Sequence, residues 1–268
     1  MTNRIAVLLP HYNNRSGLHL TLESLLRESE NFTVFIVDDG STDVSEVIKT
    51  IEFFSNDLEI VLIENEQNLG IVKSLNKGLK HILDLKTYDF IARLDAGDKC
   101  LDNRFKQQKD VLERNKDIAL VGSWVRFVDM ERQKLFDFKP PVDPDKLRRA
   151  IHSYNPFVHP SVMYSVELVK NIGFYPEGYP ALEDHAYFFS ALKSFKAVII
   201  SKILLEYEIN PEGISSRDRK SQTKSRIKLL WKEYRFGIYP TVGLLRAFIT
   251  YLLSPRVLLK AKKLYFFK

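Results

Sequence analysis

The sequence predicts an α/β fold in which a mostly parallel central sheet carries helices on both faces. Short apolar runs alternate with helical patterns over the first hundred residues, as in chains of parallel βαβ units. Four of these runs end in polar or acidic residues, and the strand ends of an open parallel sheet are where ligands bind. We predict one domain in two halves, residues 1–103 and 104–213, followed by a tail, residues 214–268.

The elements of the first half follow from the spacing of apolar residues. Strands are predicted over residues 5–9, 32–37, 60–63 and 90–94, where apolar, β-branched and aromatic side chains concentrate. Ser16 is predicted to cap a helix, because the leucines after it keep a helical spacing. A second helix is predicted over residues 71–83.

The second half is predicted to be less regular. A polar helix covers residues 104–115, and two strands, residues 118–122 and 124–128, are predicted to be joined by a tight turn. A short helix over residues 144–152, a helix beginning near Glu183 and a strand over residues 197–203 follow. The first part of the tail, residues 213–237, is predicted to be mostly helical.

Composition restricts the class of protein. With 45% hydrophobic residues among 268, the chain can bury a large core. Its single cysteine, Cys100, cannot form an internal disulfide, so we expect a reducing cytoplasm. No uncharged apolar stretch reaches the ~18 residues that a membrane span needs. We therefore expect no integral membrane segment.

The charges are distributed unevenly. Residues 214–268 hold fourteen Lys and Arg against two acids, which leaves a net charge of −6 in residues 1–213. A basic tail on an acidic body predicts an anionic partner, either a membrane surface or a nucleic acid. The tail's aromatic residues lie among aliphatic ones, so we favour an anionic membrane surface and no nucleic acid. A helix packed on the protein's own core or on a dimer partner is the alternative.

The polar residues at the strand ends form the candidate site. Tyr12 follows the first predicted strand, Asp38 and Asp39 follow the second, and Asp95 and Asp98 follow the fourth. Two acids at a strand end can hold a divalent cation, and through it a substrate phosphate. Turns also favour Asp and Gly, so each position taken alone has a structural explanation.

Two common nucleotide-binding patterns do not occur after the first strand. The sequence there has neither a glycine-rich dinucleotide fingerprint nor a Walker phosphate loop. A hydride-transfer enzyme or an ATPase is therefore disfavoured. A nucleotide bound at this edge would need side chains for its base, and a metal or basic groups for its phosphates.

Six segments, in this order, resemble the motifs of family 2 glycosyltransferases, which have the GT-A fold. They are VLLPHYNN, FIVDDGSTD, NLGIVKSLNKGL, IARLDAGD, HPSVMY and LEDHAYFF, and the resemblance spans about residues 4–210. It implies an inverting transferase that moves a sugar from a nucleoside diphosphate, with UDP expected, to a glycan hydroxyl. If the tail binds a membrane, the glycan acceptor is expected to be lipid-linked, as in surface polysaccharide or lipopolysaccharide assembly.

The resemblance also implies roles for individual residues. Tyr12 would stack on the nucleobase, and Asp39 would accept a hydrogen bond from it. Asp184 would be the general base for the acceptor hydroxyl, with Glu183 as the alternative base; capping of the helix is the structural explanation of both acids. The other residues implied to bind the donor are Pro10, Asp38, Asn68, Gly70, Lys73, Arg93, Asp95 and His159.

Several of these residues also have ordinary structural explanations. Lys73 and Arg93 could offset phosphate charge or simply occupy solvated helix and strand positions. His159 lies beside apolar residues, where a histidine is more often a hydrogen-bonded structural group than a ligand. Asn68 equally fits a turn.

One departure from the family concerns the metal. The usual acidic pattern is Asp-X-Asp-Asp, whereas this chain has Asp95, Ala96, Gly97 and Asp98. Glycine replaces the acid that is commonly the direct ligand. Asp95 and Asp98 can still hold Mn²⁺ or Mg²⁺, since such ions keep waters and add substrate phosphates. Metal dependence is nevertheless a weaker expectation than the family implies.

Two other functions are compatible with the sequence. A nucleotidyltransferase would share an acid-edged sheet, but it usually carries a basic, glycine-rich loop near the start that residues 8–17 do not supply. A non-catalytic nucleotide- or carbohydrate-binding module would tolerate Gly97, but the retained Asp39, Asp95, Asp98 and Asp184 argue against it. We expect a cytoplasmic transferase, peripherally bound to the inner face of the cell membrane. A homo-oligomer is compatible with the sequence.

Overall fold

The computed structural model describes residues 4–209 and 219–252. Its strands are β1 (Ile5–His11), β2 (Phe32–Asp38), β3 (Glu59–Glu64), β4 (Phe90–Arg93), β5 (Lys99–Cys100), β6 (Ile118–Val128), β7 (Lys134–Phe138), β8 (Met163–Ser165) and β9 (Lys196–Glu208). Its α-helices are α1 (Arg15–Leu25), α2 (Val44–Phe54), α3 (Ile71–Leu85), α4 (Arg104–Arg114), α5 (Pro144–Ala150), α6 (Val166–Ile172), α7 (Glu183–Ser194), α8 (Arg219–Lys232) and α9 (Ile238–Leu252).

One sheet organises the described residues, in the order β3-β2-β1-β4-β8-β6-β9-β5, with β7 paired to β6. The strands of the first half are parallel: β1 lies between β2 and β4, and β3 pairs with β2. The α/β fold with a mostly parallel sheet is thus confirmed. In the second half β8 is antiparallel to β4 and β6, while β9 runs parallel to β6.

Both faces of β1, β2 and β4 are buried, which explains their uninterrupted apolar runs. All seven residues of β1 are buried. Ile5, Val7 and Leu9 pack in the cluster that includes α1, whereas Ala6 and Leu8 pack in the cluster that includes α3 and α7. Alternation of neighbouring side chains between two helical layers fixes the register of β1. The polar strand ends therefore all emerge at the same edge.

Two local predictions were wrong. Ser16 does not cap α1; the N-cap is Asn14, two residues earlier, whose side chain accepts a hydrogen bond from the backbone N–H of Gly17 at 3.1 Å. The tight turn predicted between residues 122 and 124 is also absent, because β6 runs as one strand from Ile118 to Val128. Its pairing with β9 shifts register at three places, two of them beside Trp124.

The long strand β9 extends five residues beyond its predicted end, to Glu208. This extension brings Tyr207 and Glu208 to the carboxyl edge of the sheet. Strands β5, β7 and β8 and helices α2 and α6 were not predicted. The division into two halves stays a prediction.

Within the described residues the tail forms two helices, α8 and α9, which residues 233–237 join into the α8–α9 hairpin. Lys228 Nζ donates to the carbonyl oxygen of Gly178 at 3.0 Å, and Ser225 Oγ donates to that of Pro180 at 3.1 Å. The hairpin is thereby fastened to the loop that precedes α7. No helix in the described ranges is both long and apolar enough to cross a membrane.

Candidate active site

Asp38, the last residue of β2, holds together the turns that follow β1 and β2. Its Oδ1 pairs with His11 Nδ1 at 2.7 Å and accepts from Ser41 Oγ at 2.6 Å, while Oδ2 accepts from the backbone N–H of Ser41 at 2.9 Å. Burial alone would raise the pKa of Asp38, but the hydrogen bonds from His11 and Ser41 outweigh it and lower that pKa. The carboxylate is a fully bonded structural anchor.

Asp39 holds the next loop in the same way. Its Oδ1 accepts from Asn65 Nδ2 at 2.8 Å and from the backbone N–H of Leu69 at 2.9 Å, and Oδ2 accepts from that of Gly70 at 2.9 Å. Gly40, with φ +71°, lies against the backbone of Gln67, where a Cβ atom would collide. The side chain predicted to bind a nucleobase thus first of all shapes the loop after β3.

The remaining predicted donor residues around this loop differ in accessibility. The Tyr12 ring is 48% exposed just beyond β1, so one face is free to stack on a planar ligand. Asn68 is exposed, and Lys73 is exposed in the first turn of α3. Pro10 is buried within β1. The roles assigned to these residues stay predictions.

Arg93 is fully buried behind Asp95. Its guanidinium donates to Asp95 Oδ1 at 2.6 Å and to the carbonyl oxygens of Leu8 and Leu94. The Asp95 side chain is 35% exposed, whereas that of Arg93 has no exposed surface. The charge of Arg93 can therefore influence a bound phosphate only through Asp95.

His159 lies on the other side of the same guanidinium. Its Nε2 accepts from Arg93 Nε at 3.1 Å and lies 2.8 Å from the hydroxyl of Tyr175. Because arginine can only donate, Nε2 is unprotonated. Burial and the charge of Arg93 hold the pKa of His159 well below its ordinary value. His159 is therefore a neutral, half-buried support for Arg93 in this structure.

Asp98 is the least satisfied carboxylate of the site. Oδ1 accepts from the backbone N–H of Glu208 at 3.1 Å, whereas Oδ2 is buried and has no hydrogen-bond partner among the described residues. Burial and the charge of Asp95 hold the pKa of Asp98 well above its ordinary value. This oxygen therefore keeps acceptor capacity for a water, a cation or another ligand.

The turn between Asp95 and Asp98 is held by Arg132, which lies in the connection between β6 and β7. Arg132 Nη1 donates to the carbonyl oxygen of Gly97 at 2.7 Å and to Glu208 Oε2 at 3.2 Å. Gly97 has φ +110°, and a Cβ placed there would lie 3.5 Å from Glu208 Oε1. The position that usually carries an acid is thus a strained one, with another acid already beside it.

Glu183 and Asp184 begin α7. Asp184 Oδ2 accepts from Asn155 Nδ2 at 2.9 Å, and Oδ1 accepts from the backbone N–H of His185 at 2.6 Å. Burial and the charge of Glu183 raise the pKa of Asp184 to about 7. Burial, with a smaller contribution from the charge of Asp95, also raises the pKa of Glu183. A carboxylate of pKa near neutrality is suited to exchange a proton.

Tyr207 lies where these acids meet. Burial raises the pKa of its hydroxyl, and the charges of Asp98, Asp95 and Asp184 raise it further. The strand ends of the first half and the start of α7 therefore face a common space. Beside this space, a cavity of about 270 Å³ lies between the first turn of α3 and the loop before α7, and both Lys73 and Glu183 line it.

The residues present fit a divalent cation in part. Asp95 and Asp98 offer two carboxylates, one of them with an unpartnered oxygen. Within the described residues no three acids, histidines or cysteines are arranged to hold a metal. A cation here would thus depend on water and donor phosphates for its other ligands.

Several residues of the site escaped the sequence argument. Asn155, Arg132, Tyr207 and Glu208 come from loops and from the end of β9, and no local pattern marks them. Asn65, which bonds to Asp39, directly follows β3, so the strand-end argument could have found it. The sequence also predicts that Arg217 and Arg219, just after the second half, can reach the donor diphosphate. Arg217 lies outside the described residues, and so does the side chain of Arg219.

Comparison with known proteins identifies the class. Residues 6–173 match the description "Glycosyl transferase family 2", a match that ends before Glu183. An uncharacterised glycosyltransferase of Methanocaldococcus jannaschii is 31% identical over 237 residues, which cover 85% of this chain and 79% of that protein. The chain therefore belongs to glycosyltransferase family 2.

A second relative and two solved structures extend the comparison. The UDP-Gal:alpha-D-GlcNAc-diphosphoundecaprenol beta-1,3-galactosyltransferase of Escherichia coli is 25% identical, over 87% of this chain and 84% of its own length. TarS of S. aureus, crystallised with UDP-GlcNAc, has a TM-score of 0.70 at 18% identity, covering 90% of this chain and 69% of that one. A Pyrobaculum calidifontis mannosyltransferase with GDP-Man and Mn²⁺ has a TM-score of 0.66 at 19% identity, covering 92% and 69%. The GT-A fold is thereby confirmed.

Proposed function

We propose that this glycosyltransferase moves a sugar from a UDP-sugar to a hydroxyl of a lipid-linked glycan, with inversion, at the cytoplasmic face of the membrane. The similarity to an enzyme named for a diphosphoundecaprenol-linked acceptor supports the lipid-linked glycan. The structural similarity to TarS, solved with UDP-GlcNAc, supports UDP. The family membership favours this reaction over nucleotidyl transfer.

The observation that carries the proposal is Asp184. It lies at the start of α7, partly exposed, with a pKa of about 7. As the acceptor oxygen attacks the anomeric carbon, Asp184 takes the hydroxyl proton, and the nucleoside diphosphate leaves from the opposite face of the sugar. Attack opposite the leaving group inverts the anomeric configuration, through a transition state with oxocarbenium character. Asn155 orients the carboxylate by its hydrogen bond to Oδ2.

The donor would lie along the strand ends of the first half. Tyr12 offers an exposed ring for the base, and the loop fixed by Asp39 borders the same edge. Asp95 and Asp98 would hold Mn²⁺ or Mg²⁺, which neutralises charge on the leaving diphosphate when bound. Arg93 occupies one oxygen of Asp95, which leaves the other oxygen available to a cation.

Calorimetric titration of UDP and GDP, with and without Mn²⁺, tests the donor site. We expect UDP to bind more tightly than GDP and Mn²⁺ to strengthen binding. Tyr12→Ala should weaken UDP binding by about 1–3 kcal/mol, the usual value of a base on an aromatic ring. Phe53→Ala, at an aromatic residue of α2 that is 68% exposed, should leave it unchanged.

Each outcome decides one part of the proposal. UDP binding that does not depend on Mn²⁺ would contradict the proposed cation site but leave the transferase proposal standing. Tighter binding of GDP than of UDP would make a GDP-sugar the donor instead of a UDP-sugar. Failure to bind any nucleoside diphosphate would overturn the enzyme proposal in favour of a non-catalytic module. The anomeric configuration of a transferred sugar, read by NMR, tests inversion separately.

A further inference from the structure

The outer face of the α8–α9 hairpin carries a stripe of exposed apolar side chains. Five residues of α9 at spacings of three and four are each between 45% and 79% exposed: Ile238, Val242, Leu245, Ile249 and Leu252. The opposite face of the same helix is buried against the protein through Gly243, Leu244 and Ala247. A helix at a protein surface normally presents polar residues to solvent. The exposed face of α9 is instead apolar.

Basic residues border the stripe on one side in a shallow groove. Lys224, Lys228 and Lys232 repeat every four residues along α8, and Trp231 lies among them, 68% exposed. Phe248 and Tyr251 of α9 complete the groove. The groove is thus lined by aromatic and aliphatic side chains, and lysine ammonium groups lie along it.

The other side of the stripe is also basic. Arg246 is exposed there, and the Arg149 guanidinium lies 5.4 Å from the centre of the Tyr239 ring. Arg226 Nε is buried with no hydrogen-bond partner in the described ranges. Burial and the charge of Arg246 both lower the pKa of Arg226. Positive charge is therefore left uncompensated on this side.

Acidic residues hardly occur on the hairpin. Glu233 is the sole acid between residues 219 and 252, and it pairs with Lys193 of α7 at 2.7 Å. The sequence continues in the same manner, because residues 253–268 contain five Lys and Arg and no acid. An apolar stripe between two basic borders matches an anionic bilayer, which offers acyl chains below a layer of phosphates.

We propose that the α8–α9 face docks on an anionic lipid bilayer, with α9 in the plane of the interface. The stripe enters the acyl boundary, and the lysines and arginines on its two sides contact headgroup phosphates. This deepens the proposed function, on which it rests, because it names the surface that brings the enzyme to a lipid-linked acceptor.

A second copy of the chain fits this face less well. Two copies related by a twofold axis would place stripe against stripe and basic border against basic border. With Glu233 already paired, neither copy would offer an acid from these helices to the other's cations. Residues 253–268 share the same sign of charge, so they also add repulsion to any packing on this face.

The docking face is connected to the catalytic residues through one loop. Gln222 Nε2 donates to the carbonyl oxygen of Ala181 at 3.1 Å, next to the bonds from Ser225 and Lys228 to residues 180 and 178. The same loop lines the cavity beside Glu183. A bilayer bound to α8 and α9 would therefore lie one loop away from the acceptor side of the active site.

Trp231 supplies a direct test, since the chain has two tryptophans. In a Trp124→Phe variant of the full chain, Trp231 emission should shift to the blue with vesicles of phosphatidylcholine and phosphatidylglycerol, but not with phosphatidylcholine alone. In sedimentation, Leu245→Glu with Ile249→Glu should abolish vesicle binding. Lys224→Gln and Lys232→Gln should each weaken it by about fivefold. Met130→Glu with Leu135→Glu, at comparably exposed apolar residues, is the matched control.

Calorimetric UDP binding of the Leu245→Glu, Ile249→Glu variant separates this proposal from the proposed function. Unchanged UDP binding with lost vesicle binding supports the docking face and shows that the variant is folded. If Trp231 emission does not respond to anionic vesicles, the proposal is overturned. It is also overturned if light scattering shows that the unsubstituted chain is a dimer that the variant converts to a monomer, because a second copy then covers the stripe.

Discussion

Asp38 and Asp98 are both buried aspartates at the carboxyl edge of the sheet, yet their oxygens are in opposite states. Asp38 has three hydrogen bonds spread over both oxygens. Asp98 has one, and its second oxygen has none in the described structure. Their pKa values accordingly move in opposite directions. The first acid belongs to the scaffold, and the second has bonding capacity left for a ligand.

The same contrast separates Asp39 from Asp184. Asp39 accepts two backbone N–H groups and an amide from one loop, so it holds that loop in place. Asp184 is held by fewer bonds, near a second acid, and its pKa of about 7 lets it change charge near neutrality. Acids that look equivalent in a motif therefore differ in how many hydrogen bonds their oxygens already accept.

The largest expected effect is on catalysis. Asp184→Asn should lower kcat for sugar transfer by about 10²–10⁴-fold, the usual contribution of a general base. UDP affinity should stay unchanged, because the proposed role of Asp184 is toward the acceptor hydroxyl. Steady-state kinetics with calorimetry measures both. Glu183→Gln is the matched control, and a larger loss in that variant would make Glu183 the base.

Replacing Asp38 should destabilise the protein. Asp38→Asn removes hydrogen bonds to a charged group, each worth about 1.5–3 kcal/mol. Since the folded-state pKa of Asp38 is lowered, its stabilisation is present above the unfolded-state value and lost as pH falls through the folded-state value. Thermal denaturation should show a lower Tm at pH 7 and a difference that narrows in acid. An unchanged Tm would remove Asp38 from the scaffold.

Replacing Asp98 should do the reverse. Its pKa is raised, so the carboxyl group stabilises the fold below its unfolded-state pKa and less as pH rises through the folded-state value. Asp98→Asn should raise Tm at pH 7, by ~2–4 °C for each kcal/mol in a chain of this size. The same variant should lose the enhancement of UDP binding by Mn²⁺. A lower Tm would mean that the orphaned oxygen has a partner.

The smallest expected effect is a shift of the pH profile. With Asp184 as base, kcat/KM should rise with pH through about 7, because the ionised form is active. Asn155→Ala removes a hydrogen bond that lowers this pKa, so the inflection should move to higher pH by up to about 1 unit. Gln133→Ala, at an exposed amide away from the acids, is the control. A pH profile that does not move would show that Asn155 does not affect the pKa of the base.

Most of residues 1–103 could be predicted from the sequence, because the strand signals there are local. An apolar run followed by acids marks the ends of β2 and β4, and parallel pairing brings those ends together. The orientation of the side chains was not accessible. The sequence does not show on which side of β4 the Arg93 side chain lies. The packed structure shows that its guanidinium is buried and bonded to Asp95.

The arrangement of residues 104–213 depends on contacts between distant segments. Asn155 reaches Asp184 across 29 residues, and Arg132 reaches Glu208 across 76. The apolar signal of β9 fades after Leu205, where glutamates and a tyrosine follow, so its last residues resembled a loop. Their pairing is with β6, a strand that the sequence had divided in two.

The glycine at position 97 has a consequence for how this site can change over time. Its backbone lies at φ +110°, and Glu208 occupies the space beside it. An aspartate restored at 97 alone would meet an unfavourable backbone and a like charge. A return to the family's acidic pattern would therefore require the turn and residue 208 to change together. We therefore expect the two positions to be epistatic, because the cost of an acid at 97 depends on the residue at 208.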